Sequence, residues 1–280
     1  MIGRADAIGL DPRSSVTLAL ASVAGALAFG WPLLRVPSGS IGHGSDAPLI
    51  FVILLPILVM IVLAEIAGGG IDSKALAMLG VLSAIGAALR PLGAGTAGIE
   101  TTFFLLIVAG RVFGPGFGFV LGSTTLFASA LITGGVGPWL PFQMLAASWV
   151  GLGAGLLPPM RGRWEVLMLV VYAAVAAMAF GLLMNLWFWP FVLGETTTIS
   201  YLPGASIEEN LRRLLLYSLA TSMGWDVMRA ATNVLLVALV GPAVLAVLRR
   251  TARRAAFGPA MTPAMTPAMT PARPTVPPAR

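Results

Sequence analysis

Long apolar runs dominate the chain, and no other feature limits its possible folds so severely. They fall near residues 15–34, 48–67, 74–92, 101–113, 116–133, 141–158, 164–193 and 224–248. A helix needs roughly 20 mostly apolar residues to cross the hydrocarbon core of a bilayer. Inside that core every backbone N–H and C=O must find a partner within the protein, which leaves helices and closed barrels as spanning forms. These runs are continuous rather than alternating, so they read as helices. Charged residues are 10% of the chain, against about 25% in an ordinary soluble domain, too few to coat a water-soluble surface. The expected fold is an all-α integral membrane protein, a bundle of six to eight transmembrane helices.

Three stretches follow. Residues 1–14 are expected as an N-terminal cytoplasmic segment, 15–250 as the transmembrane domain, and 251–280 as a basic stretch and tail. In the tail Pro-Ala-Met-Thr repeats over 259–270, and so regular a spacing of proline predicts disorder. The first apolar run is long and no small-residue cleavage site follows it, which argues against a cleaved signal peptide. Arginine placement orients the bundle. With every run crossing, Lys74, Arg111, Arg161, Arg163 and the arginines at 249–254 share one side with the N-terminus, while Arg35, Arg90, Arg212, Arg213 and Arg229 lie on the other. The positive-inside rule makes the first side cytoplasmic, with both termini there. The expected location is the inner, cytoplasmic membrane, crossed many times. Gly114-Pro115-Gly116 interrupts 101–133, which reads either as two short spans or as one broken helix with a re-entrant turn.

Several chemistries are unsupported. There is no cysteine, His43 is the sole histidine and Lys74 the sole lysine, so thiol chemistry and a multi-histidine metal site are absent. No phosphate-cradling G-x-x-x-x-G-K-S/T loop occurs, and neither H-E-x-x-H nor G-x-S-x-G is found. An ATP-driven step would come from another polypeptide. Glu65, Glu100 and Asp226 stand singly. Arginines beside apolar runs suit membrane orientation better than nucleic-acid binding. The reading is of a protein with no catalytic residues, no resident metal or cofactor and no nucleic-acid partner. An intramembrane enzyme, a lipid-handling protein or a structural subunit remain alternatives.

Polar and aromatic groups gather near the outer ends of the predicted helices. Trp139 and Gln143 flank Pro141; Asn185, Trp187 and Trp189 sit within Met184–Pro190; Asp226, Arg229 and Asn233 are spaced to share one helical face; His43 lies in the glycine-rich loop 35–47. An amide at membrane depth needs partners, and a polar group there is a functional candidate by default. These nine residues are the expected substrate site. The competing readings are an interfacial tryptophan belt, an Asp226–Arg229 pair satisfied by itself, and a solvated loop histidine. Segment 194–223 is the longest outer connection. Its Ser206-x-x-Glu209 box starts a helix, with Ile207, Leu211, Leu214 and Leu215 on one face and Glu208–Arg212 and Glu209–Arg213 pairs on the other. It is expected at the membrane surface, as a lid.

Small residues four apart recur at Gly110/Gly114, Gly118/Gly122 and Ala147/Gly151/Gly155, a spacing that lets helix backbones approach closely in lipid. Packing within the bundle accounts for most of them. The first run is dense in small residues, and Ala21, Ala24, Gly25 and Ala28 are the expected docking face for another subunit, with packing inside the bundle as the equal alternative.

The stretch RVFGPGFGFVLGSTTLFASALITGGVGPWLPFQMLAASWVGLGAGLLP at 111–158 resembles the core of S components of energy-coupling-factor transporters, most specifically GGVGPWLPFQM at 134–144 and GLGAGLLP at 151–158. NLWFWP at 185–190 resembles the actinobacterial branch that includes cobalamin S components. The resemblance follows helix order over 15–250 and is sharp over 100–190. It implies a substrate-capture subunit without its own ATPase that holds a vitamin near the outer face. A T component with two ATPases topples it to release the vitamin inside. Ala24 and Ala28 match the A-x-x-x-A spacing of the family's docking helix. Cobalamin or a related corrinoid is the implied substrate, with riboflavin or a folate as alternatives. The family usually has six spans, fewer than the eight runs counted here.

Overall fold

The protein is described by a computed structural model over residues 12–34, 73–93, 97–192 and 197–255, together with residues 53, 57 and 61. His43 and its loop, Glu65, most of the 48–67 run and the tail from 256 lie outside the described residues. Every regular element among the described residues is a helix: α1 (Pro12–Leu34), α2 (Ser73–Gly93), α3 (Thr102–Phe113), α4 (Pro115–Thr133), α5 (Leu140–Leu156), α6 (Arg163–Val192), α7 (Ile207–Thr221), α8 (Met223–Leu239) and α9 (Gly241–Ala255). Four of them, α1, α2, α4 and α6, are long and apolar enough to cross a membrane, and α8 with α9 makes a fifth if the bent pair is one span. The all-α membrane bundle expected from the apolar runs is therefore present.

The interruption at 114 resolves into two helices. Gly114 adopts φ 104°, a left-handed region that a side chain disfavours, and Pro115 disfavours helical geometry in the residue before it. So α3 ends at Phe113 and the chain folds back into α4, far enough that a Cβ on Gly118 would crowd the Cα of Gly110. With 12 residues, α3 is about 18 Å long, too short to cross a bilayer alone.

Three helices meet at this hairpin through bare backbone. A Cβ on Gly110 or on Gly118 would run into the carbonyl of Gly151, and one on Gly151 into the carbonyl of Gly118. Gly122 lies likewise against the carbonyl of Ala147, and Gly155 against Pro115. Here the four-residue spacing of small residues is used for packing inside the bundle. Among the described residues the pairing of α4 with α5 is the most extensive, and α3, α4 and α5 supply most of the buried core.

The run 224–248, expected as one span, is broken. Helices α8 and α9 meet at Val240 with a 63° bend. Pro242 at the start of α9 lacks the N–H that would continue the ladder. Helix α9 buries Leu245 and Leu248 and exposes Arg250, Arg253 and Arg254, the pattern of a helix that lies along a surface.

Contacts sort the helix ends into two groups. At one, the arginine end, Arg111 of α3 donates from Nε to Glu165 Oε1 of α6 (2.8 Å) and from Nη1 to the carbonyl of Leu157 (2.9 Å). Arg249 of α9 donates to the same Glu165 oxygen at 2.6 Å. The other, the tryptophan end, gathers the ends of α2, α4 and α6 with the starts of α3, α5 and α8.

Candidate functional site

At the tryptophan end, helix α5 begins at Leu140 after the turn 134–139, with Pro141 in its first turn, where the missing N–H costs nothing. Trp139 precedes it, 42% exposed, and its indole N–H donates back to the carbonyl of Gly135 at 3.1 Å. Gly137 leaves the room that the Trp139 ring occupies. One turn on, Gln143 accepts a hydrogen bond on Oε1 from Arg90 Nη2 at 3.0 Å.

Trp187 and Trp189 point to different places. Trp187 is buried and stacks on Phe142, with centroids 4.6 Å apart and planes 6° from parallel. Its indole N–H has no hydrogen-bond partner among the described residues. Trp189 is fully buried in a second small core with Tyr201, Leu214 and Tyr217, and its N–H donates to the carbonyl of Ile199 at 2.7 Å. Asn185 donates from Nδ2 to the hydroxyls of Ser218 (3.0 Å) and Ser222 (2.5 Å), which joins α6 to the end of α7. Trp139, Met184, Asn185, Trp187 and Phe188 together line an aromatic cleft of about 260 Å³.

The residues of α8 hold the helices together. Asp226 is buried and accepts from Arg229 Nη1 at 2.6 Å, and Gly181 of α6 provides the space that the carboxylate fills. The Arg229 guanidinium lies 5.3 Å from the centre of the Phe180 ring. Asn233 is fully buried and committed to backbone: its Oδ1 accepts from Phe104 N (2.7 Å), and its Nδ2 donates to the carbonyls of Glu100 (2.7 Å) and Arg229 (2.9 Å). It fastens α8 to the start of α3, leaving its amide no unused donor.

A second cleft of about 270 Å³ opens at the same end, and the sequence reading of the site took in one of its charged residues, Arg229. It is lined by Arg90, Glu100, Ser129, Thr133, Trp225 and Arg229, with Gly93 and Gly98 among the remaining contacts. Arg90 joins the two clefts through its bond to Gln143. The signal for it was already present, an arginine and a glutamate at the flanks of a single short connection, 91–99.

The segment expected as a lid is tightly tied where it is described. Ser206 caps α7, accepting from Glu209 N at 3.2 Å, as the capping box predicts. Asn210 exchanges two hydrogen bonds with the backbone of Leu202, each 3.0 Å. Tyr201 donates to the carbonyl of Pro32 in α1 at 2.9 Å. The inward face is Asn210, Leu214, Tyr217 and Ser218, whereas Ile207, Leu211 and Leu215 are exposed. The expected apolar face, Leu214 apart, thus lies on the outside of the bundle, where a helix at the membrane surface presents it to lipid; Leu214 joins the second core beside Trp189. Glu209 pairs with both Arg212 (3.2 Å) and Arg213 (2.7 Å); hydrogen bonds from Arg212, then Arg213, hold its carboxyl below the ordinary value.

The four small residues of α1 divide. Ala21 and Gly25 face the bundle, where a Cβ on Gly25 would strike Leu145. Ala24 is exposed and Ala28 half-buried at the margin. Trp149 donates to Ser22 Oγ at 3.0 Å from the same inward side.

A family model described as "ECF transporter, substrate-specific component" matches residues 74–247. No curated protein and no solved structure matches the chain. The matched stretch runs from the first turn of α2 into α9 and contains every residue that lines the two clefts. This chain belongs to the family of substrate-specific components of ECF transporters.

Proposed function

We propose that the protein captures a vitamin at the outer face of the cytoplasmic membrane and hands it to a T component and two ATPases for uptake. One observation carries the reading: a charged cleft and an aromatic cleft open together at the tryptophan end, whereas the larger groove along α6 beside Met160, Trp164 and Met168 has no charged residue in its described lining. In lipid, polar groups with unused hydrogen-bonding capacity are costly and mark function. The tryptophan end is then outside, residues 15–250 form the capture domain, and both termini are cytoplasmic. Trp139, Gln143, Asn185 and Trp187 contact the ligand, with Trp189, Asp226, Arg229 and Asn233 holding the walls and His43 approaching from its loop. Docking to the T component uses the open edge of α1 at Ala24 and Ala28.

Each cleft, at about 260 and 270 Å³, lies just below the roughly 300–1,000 Å³ usual for small-molecule sites. A single-ring or fused-ring vitamin fits that scale. The corrinoid suggested by NLWFWP would have to span both clefts at once. Purified protein decides between them: a red co-purified chromophore assigns a corrinoid, a yellow one a flavin, and titration calorimetry with a vitamin panel covers colourless ligands. No binding to any vitamin by well-folded protein would sink the capture reading. Single cysteines at Leu202 and Arg254 of this cysteine-free chain test the orientation, since labelling of both from one side contradicts it. Bulky replacements at Ala24 and Ala28 should abolish uptake while leaving capture intact.

A further inference from the structure

We propose that the charged cleft receives an acidic group, a carboxylate or a phosphate, anchored by Arg90 with Ser129 as a second donor. Taking that acid as part of the captured vitamin rests on the capture reading above; the anion site itself does not.

The balance of charge and hydrogen bonds in the cleft leads there. Its lining holds two arginines and one carboxylate. Arg229 is neutralised from behind by Asp226 at 2.6 Å. Arg90 is paired more loosely, with Glu100 alone. Its Nε stands 3.8 Å from Glu100 Oε2, beyond hydrogen-bond length, and Nη2 reaches the neutral amide oxygen of Gln143. Glu100 is meanwhile engaged elsewhere, its Oε1 accepting from Thr102 N at 3.0 Å at the start of α3. A guanidinium presents five N–H donors, and among the described residues one of Arg90's is matched.

Ser129 supplies the independent observation. It is fully buried, and its hydroxyl has no partner among the described residues, whereas a helical serine can bond back to the preceding turn. Thr133, one turn later and also in the lining, does bond back, to the carbonyl of Ser129 at 2.8 Å. A buried donor without an acceptor is expensive where the dielectric is low. An acid group in the cleft would match the guanidinium fork and the serine hydroxyl together, which a neutral group or a cation would not. The aromatic cleft, which has no charged residue in its lining, is left for the ring of the same ligand.

The test uses the full chain, purified in detergent and in lipid nanodiscs. Its probes are benzoate, inorganic phosphate and shape-matched vitamin pairs: nicotinate and nicotinamide, pantothenate and pantothenol, biotin and biotinamide. The expected result is that an acid binds about tenfold more tightly than its neutral partner. Arg90→Gln erases the preference, Arg90→Lys restores part of it, and Ser129→Ala weakens acid binding several-fold at unchanged thermal midpoint. Equal binding of acid and neutral partner overturns the anion site while leaving vitamin capture standing, as does a preference that survives in Arg90→Gln. Nanodiscs of phosphatidylglycerol and of phosphatidylcholine separate the sources. Arg90-dependent stabilisation by phosphatidylglycerol, with no response to soluble acids, keeps the anion site and assigns the acid to a lipid headgroup. Absence of any Arg90-dependent response in all arms overturns the proposal.

Discussion

At the arginine end, one oxygen of Glu165 receives both Arg111 and Arg249, and Arg111 spends a further N–H on the carbonyl of Leu157. At the tryptophan end, Arg90 stands off from Glu100 and leans on a neutral amide. The residue types are the same, and both sets lie where charges are scarce. In the first, three elements converge until the carboxylate is enclosed. In the second, the groups are spread around two clefts, and Ser129 and Trp187 have no hydrogen-bond partner among the described residues. A saturated buried cluster fixes helices relative to one another; an unsaturated one has affinity to spare for something not yet present.

Substitutions can break this contrast, and the largest effect is expected at the three-glycine crossing. Gly151→Val drives side-chain atoms into the backbone of α4 and should cost about 4 kcal/mol or more, in the range reserved for overpacked cores and broken networks; the check is loss of the monodisperse peak in detergent gel filtration. Next comes Glu165→Gln, which strands Arg111 without its counter-charge and should cost about 3 kcal/mol, as removal of one partner from a buried pair usually does. Its thermal midpoint should fall while ligand affinity of the folded fraction stays put. An affinity that falls with it would mean the two ends are coupled, and the division drawn above would fail.

Gln143→Ala should do the reverse, weakening ligand binding by about 1–3 kcal/mol, the usual cost of an unpaired buried partner, with little change in midpoint. Calorimetry and a melting curve on the same sample read both quantities. Asn185→Ala sharpens the distinction, since Asn185 also ties α6 to Ser218 and Ser222; it should weaken binding and increase hydrogen exchange in α7.

Smaller still is Ser206→Ala, about 1 kcal/mol of local helix stability by the cost of a lost cap, read as faster amide exchange over 207–210. The smallest effect is a pH response. Because the Glu209 carboxyl is held below its ordinary value, its contribution is present above the unfolded pKa and is lost as pH falls through the folded one. Protection at the start of α7 should decline in the acid range, and Glu209→Gln should remove that dependence.

What could be read from the chain follows from the reach of each interaction. Spacings of three and four residues are local, so the capping box at Ser206 and the close-packed Gly110, Gly118, Ala147 and Gly151 were legible before any fold was known. The membrane class was legible because it depends on summed hydrophobicity. The break at Val240 was hidden by apolar residues on both sides, although Gly241-Pro242 marked it. Contacts between distant segments were not legible: Glu165 lies 54 residues from Arg111 and 84 from Arg249, and no local pattern joins them. The inward turn of Leu214 was not legible for the same reason, since Trp189 and Tyr201 pack on it from outside the helix. Arg90 counted in the sequence as an orientation charge, and its bearing on the site emerged with the return of α3 beside the end of α2.

The crossing of Gly110, Gly118 and Gly151 carries a further consequence. Where backbones touch, no side chain can swing aside to open a passage, and Gly155 against Pro115 extends the seal toward the arginine end. Through this part of the bundle the described helices leave no passage from one end to the other. For the proposed capture role, a ligand taken up at the tryptophan end therefore has no route between α3, α4 and α5 to the opposite end.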